Sequence, residues 1–317
     1  MNRIERFFKK LGLLFITSVY VTVCGCLSPL IFIGSSISNR FAEKSQSLWT
    51  FVILLVIKLF LVEKIRLHYN PKILSYKKSI FISNHVNSID WFMIWISLLV
   101  LKKKKVIYSA KKSLFLFGKV ITGLLHTDSD FVFLKRQLNY DYITLVDACN
   151  KMKKMKEYTT VLFPEGTLLC HKKTPIINIR RCSSRNVKTT KNVIFPKTRG
   201  FEILIEQLKG ELDGIMNCTL RYSNFISFSN FVKGKRIKVD IYIDALDLPD
   251  SNYDRWLVDK FLEKDNLIGT NNLYNKKYLT IDINIPRKFG YAITLAIPWF
   301  ATKIKTCFKR KIMGIDD

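Results

Sequence analysis

The chain has 317 residues, 52 Lys and Arg against 25 Asp and Glu, a formal net charge of +27, and 48% apolar side chains. It can bury a sizeable core as one large or two modest domains. Such a basic and apolar chain, with no aromatic–basic nucleic-acid module, speaks against a soluble nucleic-acid binder and for a surface of anionic lipid; a general lysine bias would supply part of the charge with no partner.

Residues 1–10 are basic and amphipathic, and Leu11 to Gly34 follow without a single charge. Twenty-four residues suffice to cross a hydrocarbon core of about 30 Å. The run is too long for a signal-peptide core and no small-x-small site closes it, which favours a retained anchor. Leu48 to Val62 is a second apolar run, interrupted by Lys58. It either forms a hairpin with the first or lies in the interface with Lys58 snorkelling. Arg6, Lys9 and Lys10 flank the first run on one side and Arg40 and Lys44 on the other, so charge asymmetry does not set an orientation. Residues 1–67 are expected to be a membrane-anchoring segment of hydrophobic helices.

From residue 68 to 250 strand and helix patterns alternate. Strands are expected near Ile80–Ser83, Val106–Ser109, Thr160–Phe163, Val193–Phe195, Gly214–Tyr222 and Ile237–Asp244. Helices are expected at Asp90–Leu101, Lys112–Val120, Asn139–Glu157 and Phe201–Lys209. In the third helix Tyr142, Val146, Cys149 and Met152 recur at helical spacing and read as core. The pattern predicts an α/β domain with a mostly parallel central sheet flanked by helices, its sites at the strand C-terminal ends. Lys102 to Lys105 form a run of four lysines, read as a solvated rim or a landing patch for phosphates.

Two turns carry chemistry. Ser79-Ile80-Phe81-Ile82 reads as a buried strand that runs into Ser83-Asn84-His85-Val86-Asn87-Ser88-Ile89-Asp90, with an apolar helix following. Asn84, Asn87 and Ser88 suit such a turn, their side chains bonding nearby backbone donors. A neutral imidazole is a base near pH 7, and a carboxylate beside it fixes its tautomer and stabilises the imidazolium. His85 with Asp90 could therefore take the proton of a hydroxyl attacking a carbonyl. The second turn ends the buried strand Val161-Leu162-Phe163 with Pro164-Glu165-Gly166-Thr167. There proline stiffens the exit and glycine allows close approach of a ligand.

Together the Asn-His-x4-Asp and Phe-Pro-Glu-Gly-Thr stretches resemble the lysophospholipid and glycerol-phosphate acyltransferase family. Phe133 and Arg136 match a Phe-x-x-Arg motif that, in the family, helps bind the acceptor phosphate; a guanidinium fork grips phosphate oxygens bidentately. Val193-Ile194-Phe195-Pro196-Lys197-Thr198-Arg199-Gly200-Phe201 is similar to the family's fourth motif, in the form found in the lysocardiolipin acyltransferase branch. Many members carry Arg after the Glu-Gly-Thr; here Leu168 stands there, with Lys172, Arg180 and Arg181 nearby in sequence.

The resemblance implies a glycerolipid acyltransferase-like fold and transfer from acyl-CoA, as co-substrate, to the free hydroxyl of a lysophospholipid. His85 and Asp90 would be catalytic. Asn84, Phe133, Arg136, Phe163, Pro164, Glu165, Gly166, Thr167 and Pro196 would line the substrate site. Oxyanion donors are sought among the Asn87–Ile89 backbone amides. No metal and no cofactor are expected, and the partners are the bilayer, acyl-CoA and the lysophospholipid. The endoplasmic reticulum membrane is the expected location, with the mitochondrial outer membrane as alternative. A catalytically degenerate lipid-binding or tethering protein of the same fold is the rival reading. Residues 171–192, rich in Lys, Arg, Ser, Thr and Asn, read as a loop. Residues 251–317 read as a helical, membrane-associated tail with an interfacial segment at Gly290–Phe300. The seven cysteines are odd in number and scattered, as free thiols are.

Overall fold

A computed structural model describes residues 62–114, 131–225, 236–270 and 278–283. The expected membrane segment at 11–34, the run at 48–62 except its last residue, and the tail segment at 290–300 lie outside the described residues. No helix among the described residues is long and apolar enough to cross a membrane.

The strands are β1 (Val62–Tyr69), β2 (Lys78–Ser83), β3 (Val106–Lys111), β4 (Phe131–Leu134), β5 (Tyr158–Leu162), β6 (Gly214–Tyr222), β7 (Ile237–Leu246) and β8 (Leu279–Asp282). They form one sheet in the order β4-β3-β5-β2-β6-β7-β1-β8. Neighbours run parallel except at β6/β7 and β1/β8. The helices are α1 (Asp90–Val100), α2 (Leu138–Lys153), α3 (Thr174–Ser183), α4 (Arg199–Leu208) and α5 (Tyr253–Gly269). The expected mostly parallel sheet flanked by helices is what forms.

β2 shows how the layers are specified. Successive strand side chains point to opposite faces, so an unbroken apolar run is buried only if both faces are covered. Phe81 packs on one face with Phe92, Met93 and Ile94 of α1. Ile80 and Ile82 pack on the other with Cys149 and Met152 of α2, Phe201 and Leu204 of α4 and Phe261 of α5. All three β2 side chains are wholly buried; losing Phe81 to Ala would cost about 3–5 kcal/mol. α1 buries Phe92, Met93, Ile94, Ile96 and Leu98, as suits a helix that is apolar nearly all round.

Several expectations are corrected. Val193–Phe195 is buried but pairs with no strand. Its three successive N–H groups donate instead to Asp265 Oδ1 (3.2 Å), Glu165 Oε1 (3.1 Å) and Asn178 Oδ1 (2.8 Å). Side chains supply the acceptors that a neighbouring strand would otherwise provide. Within the expected loop 171–192 stands α3, with Pro175 in its first turn, where a missing N–H costs nothing. Tyr142 is exposed; the buried stripe of α2 runs through Leu145, Cys149 and Met152. The helix expected at 112–120 is, over its described part, a single 3-10 turn at Lys112–Leu114. β1, β4 and β8 had no sequence counterpart. β1 starts at Val62, β8 belongs to the same sheet and α5 packs on α4.

Candidate active site

The site lies where β2 and β5, parallel neighbours, end side by side. Where β2 stops at Ser83, β6 runs on, and Asn84 takes the missing strand's place. Its Nδ2 donates to the Leu220 carbonyl (2.9 Å) and its Oδ1 accepts from the Leu220 N–H (2.8 Å). Asn84 is 1% exposed with both ends of its amide used, so it clamps the turn to β6.

The next residue is His85. Its Nδ1 lies 3.0 Å from Asp90 Oδ2, with the imidazole side chain 22% exposed and the carboxylate fully buried. The same Oδ2 accepts from the N–H groups of Val86 and, at 2.9 Å, Asn87. Asp90 Oδ1 accepts from the Tyr222 hydroxyl at the end of β6. Burial and the adjacent Asp90 charge push the Tyr222 phenol well above its usual range, so it stays a donor. A buried carboxylate needs such donors in place of water. With Nδ1 committed to Asp90, Nε2 of His85 is the basic atom. The Asn87 N–H, a sought oxyanion donor, is spent on Asp90.

The β5 turn is fastened to the same loop. Phe163 stacks on the His85 ring with centroids 4.3 Å apart. The Leu169 N–H donates to the His85 carbonyl at 2.7 Å and the Cys170 N–H to that of Val86 at 3.4 Å. Glu165 is fully buried. Its Oε2 accepts from the His85 N–H (3.0 Å) and its Oε1 from the Ile194 N–H (3.1 Å). Glu165 therefore braces the backbone under His85. Burial pushes its carboxyl up to about 8, against the pull of both amides and of Lys264. Lys264, buried on α5, donates to the Cys218 carbonyl at 2.6 Å, and burial brings its ammonium down to about 8.

Gly166 makes the turn in the left-handed region at φ 65°, which glycine adopts without strain. Three cations gather around it. Arg136, exposed, donates through Nη2 to the Gly166 carbonyl at 2.9 Å. Arg181, on α3, donates through Nη1 to the carbonyls of Glu165 (2.8 Å) and Phe195 (3.0 Å). The Lys197 N–H donates to the Pro164 carbonyl at 2.8 Å, and its side chain passes Gly166, where a Cβ would sit 3.6 Å from Cδ. Desolvation first, then repulsion from Arg181 and Arg136, lowers the Lys197 ammonium below its usual range; desolvation and the Arg136 charge likewise lower Arg181. No carboxylate among the described residues forms an ion pair with any of the three. Three like charges gathered on one turn, none of them ion-paired among the described residues, favour a bound anion.

Among the other expected residues, Thr167 is half-buried on the turn and Pro164 and Pro196 are buried behind it. Phe133 stacks on Phe131 of β4 at 5.7 Å, lining a cleft of about 470 Å³ beside α2. His171 is exposed. No His, Cys, Asp and Glu cluster among the described residues could hold a metal ion. Tyr222 and Lys197 were missed as site residues. Nothing in the spacing links position 222 to 85; only the parallel pairing of β2 with β6 does.

Residues 64–200 match the family described as Acyltransferase. The chain is 24% identical over 220 residues to 1-acyl-sn-glycerol-3-phosphate acyltransferase 3 of Arabidopsis thaliana, covering 64% of this chain and 54% of that protein. It is 26% identical over 206 residues to the delta enzyme of that name from Homo sapiens (60% and 52% covered). It is 24% identical over 209 residues to lysocardiolipin acyltransferase 1 of Danio rerio (64% and 52% covered). The chain thus spans about half the length of the curated relatives it matches. Among solved structures, the 1-acyl-sn-glycerophosphate acyltransferase PlsC of Thermotoga maritima aligns with a TM-score of 0.47 at 15% identity, over 83% of this chain and 98% of that one.

Proposed function

We propose that the chain moves an acyl group from acyl-CoA to the free hydroxyl of a lysophospholipid, a reading supported by the match of residues 64–200 to the acyltransferase family. The observation that carries this reading is the 3.0 Å pairing of His85 Nδ1 with buried Asp90, in an imidazole that keeps 22% of its side chain exposed. The acceptor oxygen attacks the thioester carbonyl as His85 Nε2 takes its proton. The tetrahedral adduct then collapses, the C–S bond breaks, and the coenzyme A sulfur leaves with the proton that His85 returns. No acyl-enzyme is needed, because a thioester is already activated. The amides of Ser88 and Ile89 remain the candidates for the oxyanion.

The three cations around Gly166 seat the acceptor's phosphate, with Arg181 supplying the guanidinium that position 168 lacks. Holding the acceptor there turns a bimolecular attack into a local one. The apolar runs at 11–34 and 48–62 would keep the domain at a membrane, with the endoplasmic reticulum the expected one.

The test uses membranes carrying the full chain, labelled acyl-CoA and a panel of lysolipids. Acylated product from the native chain, absent in His85→Ala with expression unchanged, supports the proposal. Equal acylation by both would end it, and no product from the native chain on any acceptor would favour the tethering alternative.

A further inference from the structure

α3 is amphipathic with the wrong face outward. Its inner stripe, Thr174, Asn178 and Cys182, is polar or small and wholly enclosed. Thr174 Oγ1 donates to the Leu168 carbonyl (2.7 Å), and Asn178 bonds the Thr190 carbonyl (2.9 Å) and the Phe195 N–H (2.8 Å). Its outer stripe holds Ile176 and Ile179, 58% and 51% exposed. A surface helix of a soluble domain shows the opposite arrangement. Around this stripe the charge is one-sided: residues 171–192 contain seven Lys and Arg and no Asp or Glu. Lys172, Lys173, Arg180 and Arg185 are exposed beside the isoleucines, and Arg185 alone approaches a carboxylate, Asp254, at 3.8 Å.

We infer that the outer face of α3 seats on an anionic bilayer. The isoleucines enter the boundary between headgroups and acyl chains while the surrounding cations meet lipid phosphates. A second copy of this chain is a poor occupant, since pairing this face with itself would oppose like charges. Leu169 is bonded to the His85 carbonyl, and Thr174 at the start of α3 is five positions further on, at most about 18 Å of chain. Contact here therefore brings the catalytic loop to the lipid surface. The purpose of the contact rests on the proposed acyl transfer; the contact itself does not.

The full chain is reconstituted in vesicles of phosphatidylcholine, with or without phosphatidylglycerol, carrying a photoreactive p-benzoylphenylalanine at one position. Ile176→p-benzoylphenylalanine and Ile179→p-benzoylphenylalanine should cross-link to lipid, more on the anionic vesicles, whereas Asp147→p-benzoylphenylalanine on α2 should not. Arg180→Gln should lower that cross-linking by about fivefold at low salt. Adducts to protein, no adducts, or adducts equal to those at position 147 would each overturn the inference; equal yields on the two vesicles would remove its anionic specificity. Ile176→Ser/Ile179→Ser, with unchanged thermal melting, should lose about tenfold in turnover on vesicle-borne lysolipid but not on a monomeric short-chain acceptor. A native chain that cross-links without turning over lysolipid would sink the enzymatic reading and leave the lipid contact standing.

Discussion

The Tyr222 hydroxyl donates to Asp90 Oδ1 at 2.5 Å across 132 residues of sequence, completing a four-donor cage around a carboxylate that water does not reach. Charge-assisted hydrogen bonds of this kind are about twice as strong as neutral ones.

Tyr222→Phe keeps the ring and removes that donor. Asp90 Oδ1 is then left without its phenolic donor and holds the His85 ring less firmly. A loss of about tenfold in kcat is expected, in line with roughly 1.5–3 kcal/mol for a hydrogen bond to a charged group. An unchanged kcat would show that the hydroxyl is merely structural.

Asp90→Asn exchanges an acceptor for an amide that can turn its NH2 towards Nδ1 and impose the wrong tautomer. Turnover should fall by a factor on the order of 10³ to 10⁴ with little change in KM. Rates measured in membranes at saturating acyl donor decide this.

Glu165 and Lys264 make stability depend on pH in opposite senses. The Glu165 carboxyl, raised to about 8 by burial, binds a proton in the fold that the unfolded chain has released above about pH 4.5. Its contribution therefore falls as pH rises through that window. The Lys264 ammonium, lowered to about 8, is neutral in the fold while the unfolded chain still holds its proton, so its contribution recovers from pH 8 towards about 10.4. Together they place a minimum of melting temperature near pH 8, to be read by calorimetry. Glu165→Gln/Lys264→Met should flatten it.

Glu165→Gln alone sets an amide NH2 against one of two backbone donors, His85 N–H or Ile194 N–H. An unmet buried donor costs about 1–3 kcal/mol, visible as a lower denaturant midpoint. Because one of those donors belongs to the catalytic residue, kcat should drop as well.

Arg136→Ala and Arg181→Gln should each raise the acceptor KM by about tenfold and leave the acyl-CoA KM nearly unchanged. Leu168→Arg added to Arg181→Gln should recover part of the loss, since it restores a guanidinium to the same turn. Equal effects on both substrates would show that the cations hold the turn and not the acceptor.

Strands whose two faces are both covered were legible: Ile80-Phe81-Ile82 is apolar throughout because it feeds two cores at once. The pairing of His85 with Asp90 was legible too, since the two sit on one turn and its first helical residue. What escaped depended on distant chain. Val193–Phe195 has the composition of a strand, but its amides are claimed by Asp265, Glu165 and Asn178. α3 escaped because its exposed isoleucines and enclosed polar residues invert the usual pattern, and its charges resemble those of a loop. Asn84 suited a turn cap, yet its amide is used by a strand 136 residues onward.

That clamp has a consequence for a chain still emerging from the ribosome. Until Leu220 and Tyr222 are synthesised, Asn84 has no strand to grip and Asp90 lacks its phenolic donor, although both hallmark motifs are already complete. The turn that carries His85 therefore reaches its final hydrogen bonding only once β6 has been made.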